Sequence, residues 1–228
     1  MNRIDEISKN LSDVREKISS AAIKAGRAPA EITLIAVTKT FPTLDLQILY
    51  ELGLREFGEN RDQEAAKKVE LLPSDITWHF QGGIQSNKLK SICSWASVIH
   101  SVDRYRYAQK ISECSNEKEM KIFIQVSLDE PVESRGGVDP KKLIDLAEQI
   151  SLLPNISIMG LMAVAPVDQP PEPALARLQQ IDQDFKSRFK EAKYLSAGMS
   201  GDYETAISYG ATHLRIGSSI LGNRSLIK

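Results

Sequence analysis

The chain has 228 residues, enough for one well-buried domain, and its 29 lysines and arginines nearly balance its 30 aspartates and glutamates. This balance gives no overall field that would attract nucleic acid or an anionic membrane, so neither is an expected partner. Cys93 and Cys114 lack metal-site or disulfide-framework spacing, and no segment resembles a signal peptide or a membrane span, so we expect a cytoplasmic protein.

The first predicted element is an amphipathic helix within residues 1–26. Apolar residues from Ile4 to Ala21 recur at spacings of three and four, which places them on one helix face, and Gly26 is positioned to end the helix. Because this helix precedes the first predicted strand, we interpret it as an addition to a fold formed by residues 31–222.

Short apolar runs then alternate with helical patterns along the rest of the chain. The runs predict strands at Ile32–Thr38, Glu56–Gly58, Thr77–Gln81, Val98–Val102, Lys121–Ser127, Ser157–Met162, Lys193–Ser196 and His213–Ile216. The patterns predict helices at Leu44–Leu52, Arg61–Leu71, Asn87–Ser94, Arg104–Cys114, Pro140–Leu152, Glu172–Lys190, Asp202–Tyr209 and shortly after Gly217.

This alternation is typical of an α/β protein with an all-parallel sheet. A doubly wound open sheet has the same local signature, but the number of units favours a closed (β/α)8 TIM barrel. We therefore predict a single domain over residues 1–228, with the extra helix at its N-terminus.

Lys39 is the first candidate for chemistry, because functional side chains of such barrels lie where the strands end. Desolvation at a barrel mouth can lower the pKa of a lysine and expose the neutral amine that forms Schiff bases with carbonyl compounds. A lone lysine is more commonly a surface residue whose stem covers apolar atoms. The assignment therefore depends on the neighbours of Lys39.

Two turns rich in glycine and serine could provide those neighbours. Ser200 and Gly201 follow the seventh predicted strand, whereas Gly217 and Ser218 follow the eighth. Small residues let backbone amides approach an anion, and barrels recurrently bind phosphate between the loops after strands 7 and 8. Ordinary capping and turn chemistry explains either turn alone, but two in consecutive units favour a phosphate site.

Asn60 and His79 add polar groups near the same end of the predicted barrel. Asn60 follows the second strand and can also cap the next helix. His79 lies inside the third strand, where a histidine is more often a hydrogen-bonded core residue than a catalyst. The sequence contains no P-loop, dinucleotide-binding glycine motif or Ser-His-Asp arrangement, so those enzyme classes are not expected.

Several of these residues belong to motifs that occur together in one known family. The motifs are Ala36-Val-Thr-Lys39, Phe57-Gly-Glu-Asn60, Trp78-His-Phe-Gln-Gly-Gly-Ile-Gln-Ser-Asn-Lys88, Gly160-Leu-Met162, Gly198-Met-Ser200 and Arg215-Ile-Gly-Ser218. The set resembles the pyridoxal phosphate homeostasis protein family, from about Ile32 to Gly222. The resemblance implies a barrel similar to the N-terminal domain of alanine racemase.

The resemblance also implies that the ligand is pyridoxal 5'-phosphate (PLP), bound as a Schiff base. The implied contacts are Lys39 with the aldehyde carbon, Arg215 with the pyridine nitrogen, and Ser200, Gly201, Gly217 and Ser218 with the phosphate. Asn60 and His79 are further cofactor-binding candidates, because they add polar groups near the same end of the barrel. An arginine can only donate to the pyridine nitrogen and leaves it unprotonated, so the ring would be a weak electron sink for carbanion chemistry.

The function implied by the resemblance is a carrier or regulator of PLP that has no dedicated reaction, with apo forms of PLP-dependent enzymes as partners. Racemases of this fold add a tyrosine from a C-terminal domain across a dimer, and without that domain we expect a monomer and no efficient catalysis. Two alternatives stay open: a PLP-dependent racemase-like enzyme, which needs a second proton donor, and a Schiff-base aldolase that binds a sugar phosphate.

The sequence departs from the family pattern in two places. Many members carry a second lysine two positions after the Schiff-base lysine, where this chain has Phe41. A Glu-Ser-Lys segment of the family reads Glu133-Ser-Arg135 here. A role of those lysines in cofactor transfer is therefore not carried over to this chain.

Overall fold

A computed structural model describes residues 2–115, 118–129, 136–166 and 169–222. Within these ranges, eight parallel strands close into one barrel in chain order. They are β1 (Thr33–Val37), β2 (Glu56–Glu59), β3 (Thr77–Phe80), β4 (Val98–Val102), β5 (Met120–Gln125), β6 (Ile156–Met162), β7 (Tyr194–Ser196) and β8 (His213–Ile216). Pairing of β8 with β1 closes the sheet, which confirms the predicted barrel and excludes the open doubly wound alternative.

Helices precede the first strand, connect successive strands and follow the last one. They are α1 (Arg3–Lys24), α2 (Thr43–Glu51), α3 (Asp62–Leu71), α4 (Leu89–Trp95), α5 (Tyr105–Cys114), α6 (Leu143–Ser151), α7 (Pro171–Arg188), α8 (Tyr203–Ser208) and α9 (Ser218–Leu221). Short 3-10 turns lie at Pro29–Glu31 and Pro140–Lys142. None of the helices in the described ranges has the length and apolarity needed to cross a membrane.

Some element boundaries differ from the predicted ones, and the difference at β1 matters for the site. This strand ends at Val37 instead of Thr38, so Lys39 lies two residues beyond it. The reason is the backbone of Thr40, whose φ of 70° is incompatible with continued extended structure. The predicted helix Pro140–Leu152 is also wrong at its start, because a 3-10 turn at Pro140–Lys142 precedes α6.

The predicted N-terminal helix is confirmed as α1, which packs outside the barrel against α8 and α9. Its buried face includes Ile7, Leu11 and Val14 at helical spacing. Arg3 joins this helix to α2 and α9, since it pairs with Asp45 at 2.6 Å and donates to the carbonyl oxygen of Leu221 at 3.0 Å. The helix therefore supports α9 and the turn that precedes it.

The barrel interior carries a polar row in addition to the aliphatic layers that usually fill such barrels. His79 on β3, His100 on β4, Ser196 on β7 and Arg215 on β8 are all buried. Phe123 on β5 stacks on His100, with the ring centroids 4.5 Å apart. Since buried polar groups need partners, the side chains of this row bond to one another and to backbone.

Candidate functional site

A cavity of about 820 Å³ lies at the C-terminal ends of the strands, where barrels of this type carry their sites. Its lining consists of Val37, Lys39, Phe41, Asn60, Gln81, Met162, Val164, Met199, Ser200, Gly201, Arg215, Gly217, Ser218 and Gly222. Every site residue predicted from the sequence except His79 belongs to this lining. The structure thus brings together side chains that are up to 179 positions apart, from Lys39 to Ser218.

Four buried or half-buried side chains hold the backbone on both sides of Lys39. We call them the strand-end cluster: Thr38, Glu59, Glu64 and Lys68. Lys68 Nζ lies 2.7 Å from both Glu59 Oε1 and Glu64 Oε1, and it donates to the carbonyl oxygen of Thr38 at 2.8 Å. Glu64 Oε1 also accepts the backbone N–H of Thr40 at 2.5 Å. The peptide groups that flank Lys39 are therefore fixed relative to β2 and α3.

The strand-end cluster is a largely buried ion group in which one cation lies between two carboxylates. Burial raises the pKa of Glu59, whereas Lys68 and the hydroxyl of Thr38 oppose that change. Thr38 Oγ1 donates to Glu59 Oε1 at 2.7 Å, but Glu59 Oε2 is buried and has no hydrogen-bond partner among the described residues. Sequence reasoning missed this cluster, although the spacing of Glu64 and Lys68 on one helix was a signal for their pairing.

The two late loops meet at Ser200. Its Oγ accepts the backbone N–H groups of Gly217 and Ser219, each at 3.3 Å, and Ser219 Oγ donates to the carbonyl oxygen of Ser200 at 3.4 Å. Ser200 therefore does not cap α8. In the same turn, the backbone N–H of Met199 donates to Asp202 Oδ1 at 2.6 Å. The turns that carry Ser200 and Gly217 therefore meet at the cavity, and backbone amides of such turns can bind an anion.

Arg215 brings a buried cation to the cavity wall. Its Nη1 donates to Ser196 Oγ at 2.6 Å and its Nη2 donates to the carbonyl oxygen of Ala163 at 2.9 Å, both neutral acceptors. Burial lowers the pKa of Arg215 to about 10, and the charge of Asp202 acts in the opposite direction. Arg215 thus remains protonated at neutral pH, and it has no ion pair with a carboxylate in the described part of the chain. A ligand with a hydrogen-bond acceptor would therefore offset part of the cost of burying this cation.

Asn60 and Gln81 present unsatisfied amide groups at the cavity. Asn60 Oδ1 and Gln81 Nε2 are buried and lack hydrogen-bond partners among the described residues. The loops that carry them are in close contact, because a Cβ atom at Gly82 would lie 2.1 Å from the carbonyl oxygen of Asn60. Gln81 was missed from the sequence, although its position directly after β3 was a signal. Such orphan groups are expected where a ligand binds.

His79 lies in the barrel interior and not in the cavity lining. Its Nε2 is 2.6 Å from Glu56 Oε2 and its Nδ1 is 2.9 Å from His100 Nε2, so both ring nitrogens have partners. His79 is therefore separated from the cavity by the rest of the polar row.

Of the two departures from the family pattern, Phe41 lies in the lining, whereas Glu133-Ser-Arg135 lies outside the described residues.

Comparisons with known proteins identify the family and the fold of the chain. Residues 4–225 match the family model described as alanine racemase, N-terminal domain. A pyridoxal phosphate homeostasis protein of Pseudomonas aeruginosa is 39% identical over 230 residues, which cover 96% of either chain. The chain belongs to this family. The resemblance carried by the sequence motifs is thereby confirmed.

Solved structures extend the comparison. The structure of PipY from Synechococcus elongatus with PLP bound is 31% identical, with a TM-score of 0.83, and the match covers 95% of this chain and all of that one. Alanine racemase of Corynebacterium glutamicum is 13% identical with a TM-score of 0.73, and the match covers 95% of this chain and 60% of that one. At that identity the racemase supports the shared barrel fold alone.

Proposed function

We propose that the protein binds PLP in the cavity as a Schiff base with Lys39 and takes part in PLP homeostasis. The observation that carries this proposal is the convergence on one cavity of a lysine, two turns of small residues that meet at Ser200, and a buried arginine. The homeostasis proteins related to this chain and the PLP bound by PipY support it.

The residues of the cavity fit the functional groups of PLP. The amine of Lys39 would condense with the aldehyde and release water, and the two turns that meet at the cavity would receive the phosphate through Ser200, Gly201, Gly217 and Ser218. Arg215 would donate to the pyridine nitrogen. Asn60 Oδ1 and Gln81 Nε2 supply an acceptor and a donor for polar substituents, which gives a partner to both orphan groups.

The composition of the cavity supports a carrier and not a catalyst. PLP supplies an electrophilic aldehyde and an electron sink, but a reaction on a bound substrate also needs groups that move protons. Among the described residues that line the cavity, only Lys39 and Arg215 are titratable. Arg215 donates without acting as a base, so the second proton donor that a racemase-like enzyme requires has no candidate in this lining.

An absorption measurement on the protein with and without Lys39 tests the proposal. Incubation of the wild type with PLP is expected to produce the visible band of a protonated Schiff base, and borohydride should remove the band. Lys39→Ala should lack it, whereas Lys67→Ala, at an exposed position on α3, should retain it. The proposal fails if the wild type forms no band or if Lys39→Ala keeps it.

The site also suggests how the protein would act in the cell. We propose that it functions as a cytoplasmic monomer that supplies PLP to apo-enzymes; its free thiols at Cys93 and Cys114 are typical of a reducing compartment. PLP-loaded protein should restore the activity of an apo-enzyme faster in mixed solution than across a dialysis membrane. Equal rates in the two arrangements would contradict direct transfer.

A further inference from the structure

A continuous row of hydrogen bonds crosses the barrel from its N-terminal end to the cavity. Glu56 Oε2 lies 2.6 Å from His79 Nε2, and His79 Nδ1 lies 2.9 Å from His100 Nε2. His100 Nδ1 lies 2.9 Å from Ser196 Oγ, which accepts from Arg215 Nη1 at 2.6 Å. We call these five residues the interior relay.

The two ends of the interior relay differ in their environment. Glu56 is the first residue of β2, and its side chain is 32% exposed at the end of the barrel remote from the cavity. His79, His100 and Ser196 are buried, and Arg215 reaches the cavity lining. Because each residue lies on a different strand of the closed barrel, the positions of all five are fixed by the sheet.

The chemistry of the two end groups sets the direction of the two outer hydrogen bonds, and one proton on each histidine ring then sets the inner two. A guanidinium can only donate, so Ser196 Oγ must accept from Arg215, and an ionised carboxylate can only accept, so His79 Nε2 must donate to Glu56. With a neutral ring, His79 Nδ1 then accepts from His100 Nε2–H, and His100 Nδ1 accepts from the hydroxyl of Ser196. One arrangement of protons therefore satisfies all four links.

The protonation state of His100 agrees with that arrangement. Complete burial lowers the pKa of His100 well below its ordinary value, and the charge of Arg215 adds to this effect. His100 is therefore neutral and carries one ring proton, which the relay places on Nε2. The hydroxyl proton of Ser196 is then directed at His100, and an oxygen lone pair is left for Arg215.

We propose that Glu56 is a positioning residue for Arg215 and acts on it through His79, His100 and Ser196. Without the carboxylate, His79 can carry its proton on Nδ1. The donor and acceptor nitrogens of both histidines are then exchanged, and the hydroxyl proton of Ser196 turns away from His100. Ser196 Oγ then accepts from His100 Nδ1–H as well as from Arg215, so its hydroxyl proton loses its acceptor in the relay and the bond that orients Arg215 is weakened. The inference rests on the proposed function, in which Arg215 faces the pyridine nitrogen of PLP.

A double-mutant cycle on PLP affinity tests the relay. Glu56→Ala and Ser196→Ala are each expected to raise the dissociation constant about five-fold, which corresponds to about 1 kcal/mol. Because the two residues act in series, the double variant should have about the same dissociation constant for PLP as either single variant. Glu56→Gln keeps an acceptor oxygen and should restore most of the loss. Glu51→Ala, at an exposed position at the end of α2, is the matched control.

The inference would be overturned if the affinity losses of the two single variants multiplied in the double variant. It would also be overturned if Glu56→Ala bound PLP with wild-type affinity. A second readout needs no PLP: nitrogen-15 NMR of the ligand-free protein should show His79 and His100 as neutral Nε2–H tautomers, and Glu56→Ala should change the tautomer of His100. The chain has three histidines, so single substitutions assign the signals.

An Nδ1–H tautomer of His100 in the wild type would also refute the relay. If the wild type fails to bind PLP, the proposed function fails and the NMR measurement still tests the relay. If the wild type binds PLP but the cycle is additive, the relay alone fails.

Discussion

Lys68 and Arg215 are both buried cations within the same barrel, but their partners differ. Lys68 lies between the carboxylates of Glu59 and Glu64, with 2.7 Å to each. Arg215 bonds only to a serine hydroxyl and a backbone carbonyl oxygen among the described residues. Lys68 belongs to the strand-end cluster outside the cavity lining, whereas Arg215 forms part of that lining.

The difference separates a structural charge from a binding charge. Removal of one partner from a compensated buried ion group leaves the opposite charge buried, which is costly. An uncompensated cation at a cavity contributes little to folding, because its desolvation is not offset by an ion pair, but it strengthens the binding of a ligand that carries an acceptor. Substitution of Lys68 should therefore mainly lower stability, whereas substitution of Arg215 should mainly lower PLP affinity.

Lys68→Met is expected to have the largest effect on stability. It leaves Glu59, which is fully buried, without a cation, and we expect a loss of about 3–5 kcal/mol in the free energy of unfolding. Urea denaturation followed by circular dichroism measures this loss. Lys67→Met, an exposed neighbour on α3, should stay within about 0.5 kcal/mol of the wild type. A loss below about 1 kcal/mol for Lys68→Met would show that the strand-end cluster is not what holds this region.

Arg215→Met is expected to have a smaller effect on folding and a clear effect on binding. The free energy of unfolding should change by about 1 kcal/mol or less, since the desolvation cost of the cation disappears together with its hydrogen bonds. PLP affinity should fall about 10-fold to 100-fold, as for the loss of one hydrogen bond from a charged donor. Denaturation and absorption titration measure the two quantities, with the exposed Arg106→Met as control. Destabilisation as large as that of Lys68→Met would remove the distinction between the two cations.

The stability deficit of Lys68→Met should also depend on pH. Burial raises the pKa of Glu59 above its value in the unfolded chain, and loss of Lys68 removes an effect that opposes this shift. The ionised carboxylate therefore destabilises the folded variant at high pH, and the cost fades as the pH falls toward the unfolded-state pKa. Each additional unit of upward shift is equivalent to about 1.4 kcal/mol.

Denaturation curves between pH 8 and pH 5, over about three units of pH, are expected to show a shrinking gap between Lys68→Met and the wild type. The double variant Lys68→Met with Glu59→Gln should remove most of the pH dependence, because it replaces the titrating group. A gap that widens toward low pH would assign the effect to a different carboxylate.

The fold and most of the polar residues that line the cavity could be predicted from the sequence because they depend on local patterns. The alternation of strands and helices determines the barrel, and functional residues of a barrel follow its strands, so Lys39, Ser200 and Gly217 were identifiable. The contacts within the strand-end cluster were not predictable in the same way. They depend on the left-handed backbone of Thr40 and on a lysine that reaches across from α3.

His79 and Gln81 show the limit more sharply. They are two positions apart around the end of one strand, yet Gln81 reaches the cavity and His79 belongs to the barrel interior. The sequence indicated polar residues near the barrel mouth but not the depth of each side chain. That depth follows from where β3 ends and from the partners that Glu56 and His100 provide for His79, contacts between strands that no local pattern encodes.

Mass spectrometry of the borohydride-reduced protein tests the central claim most directly. After incubation with PLP and reduction, peptide mapping is expected to find the mass of one reduced phosphopyridoxyl group on Lys39, and not on Lys68 or Lys67. Arg215→Met should lower the extent of labelling at limiting PLP but leave its position unchanged. A modification spread over surface lysines, or placed on another lysine with Lys39 unmodified, would contradict the account.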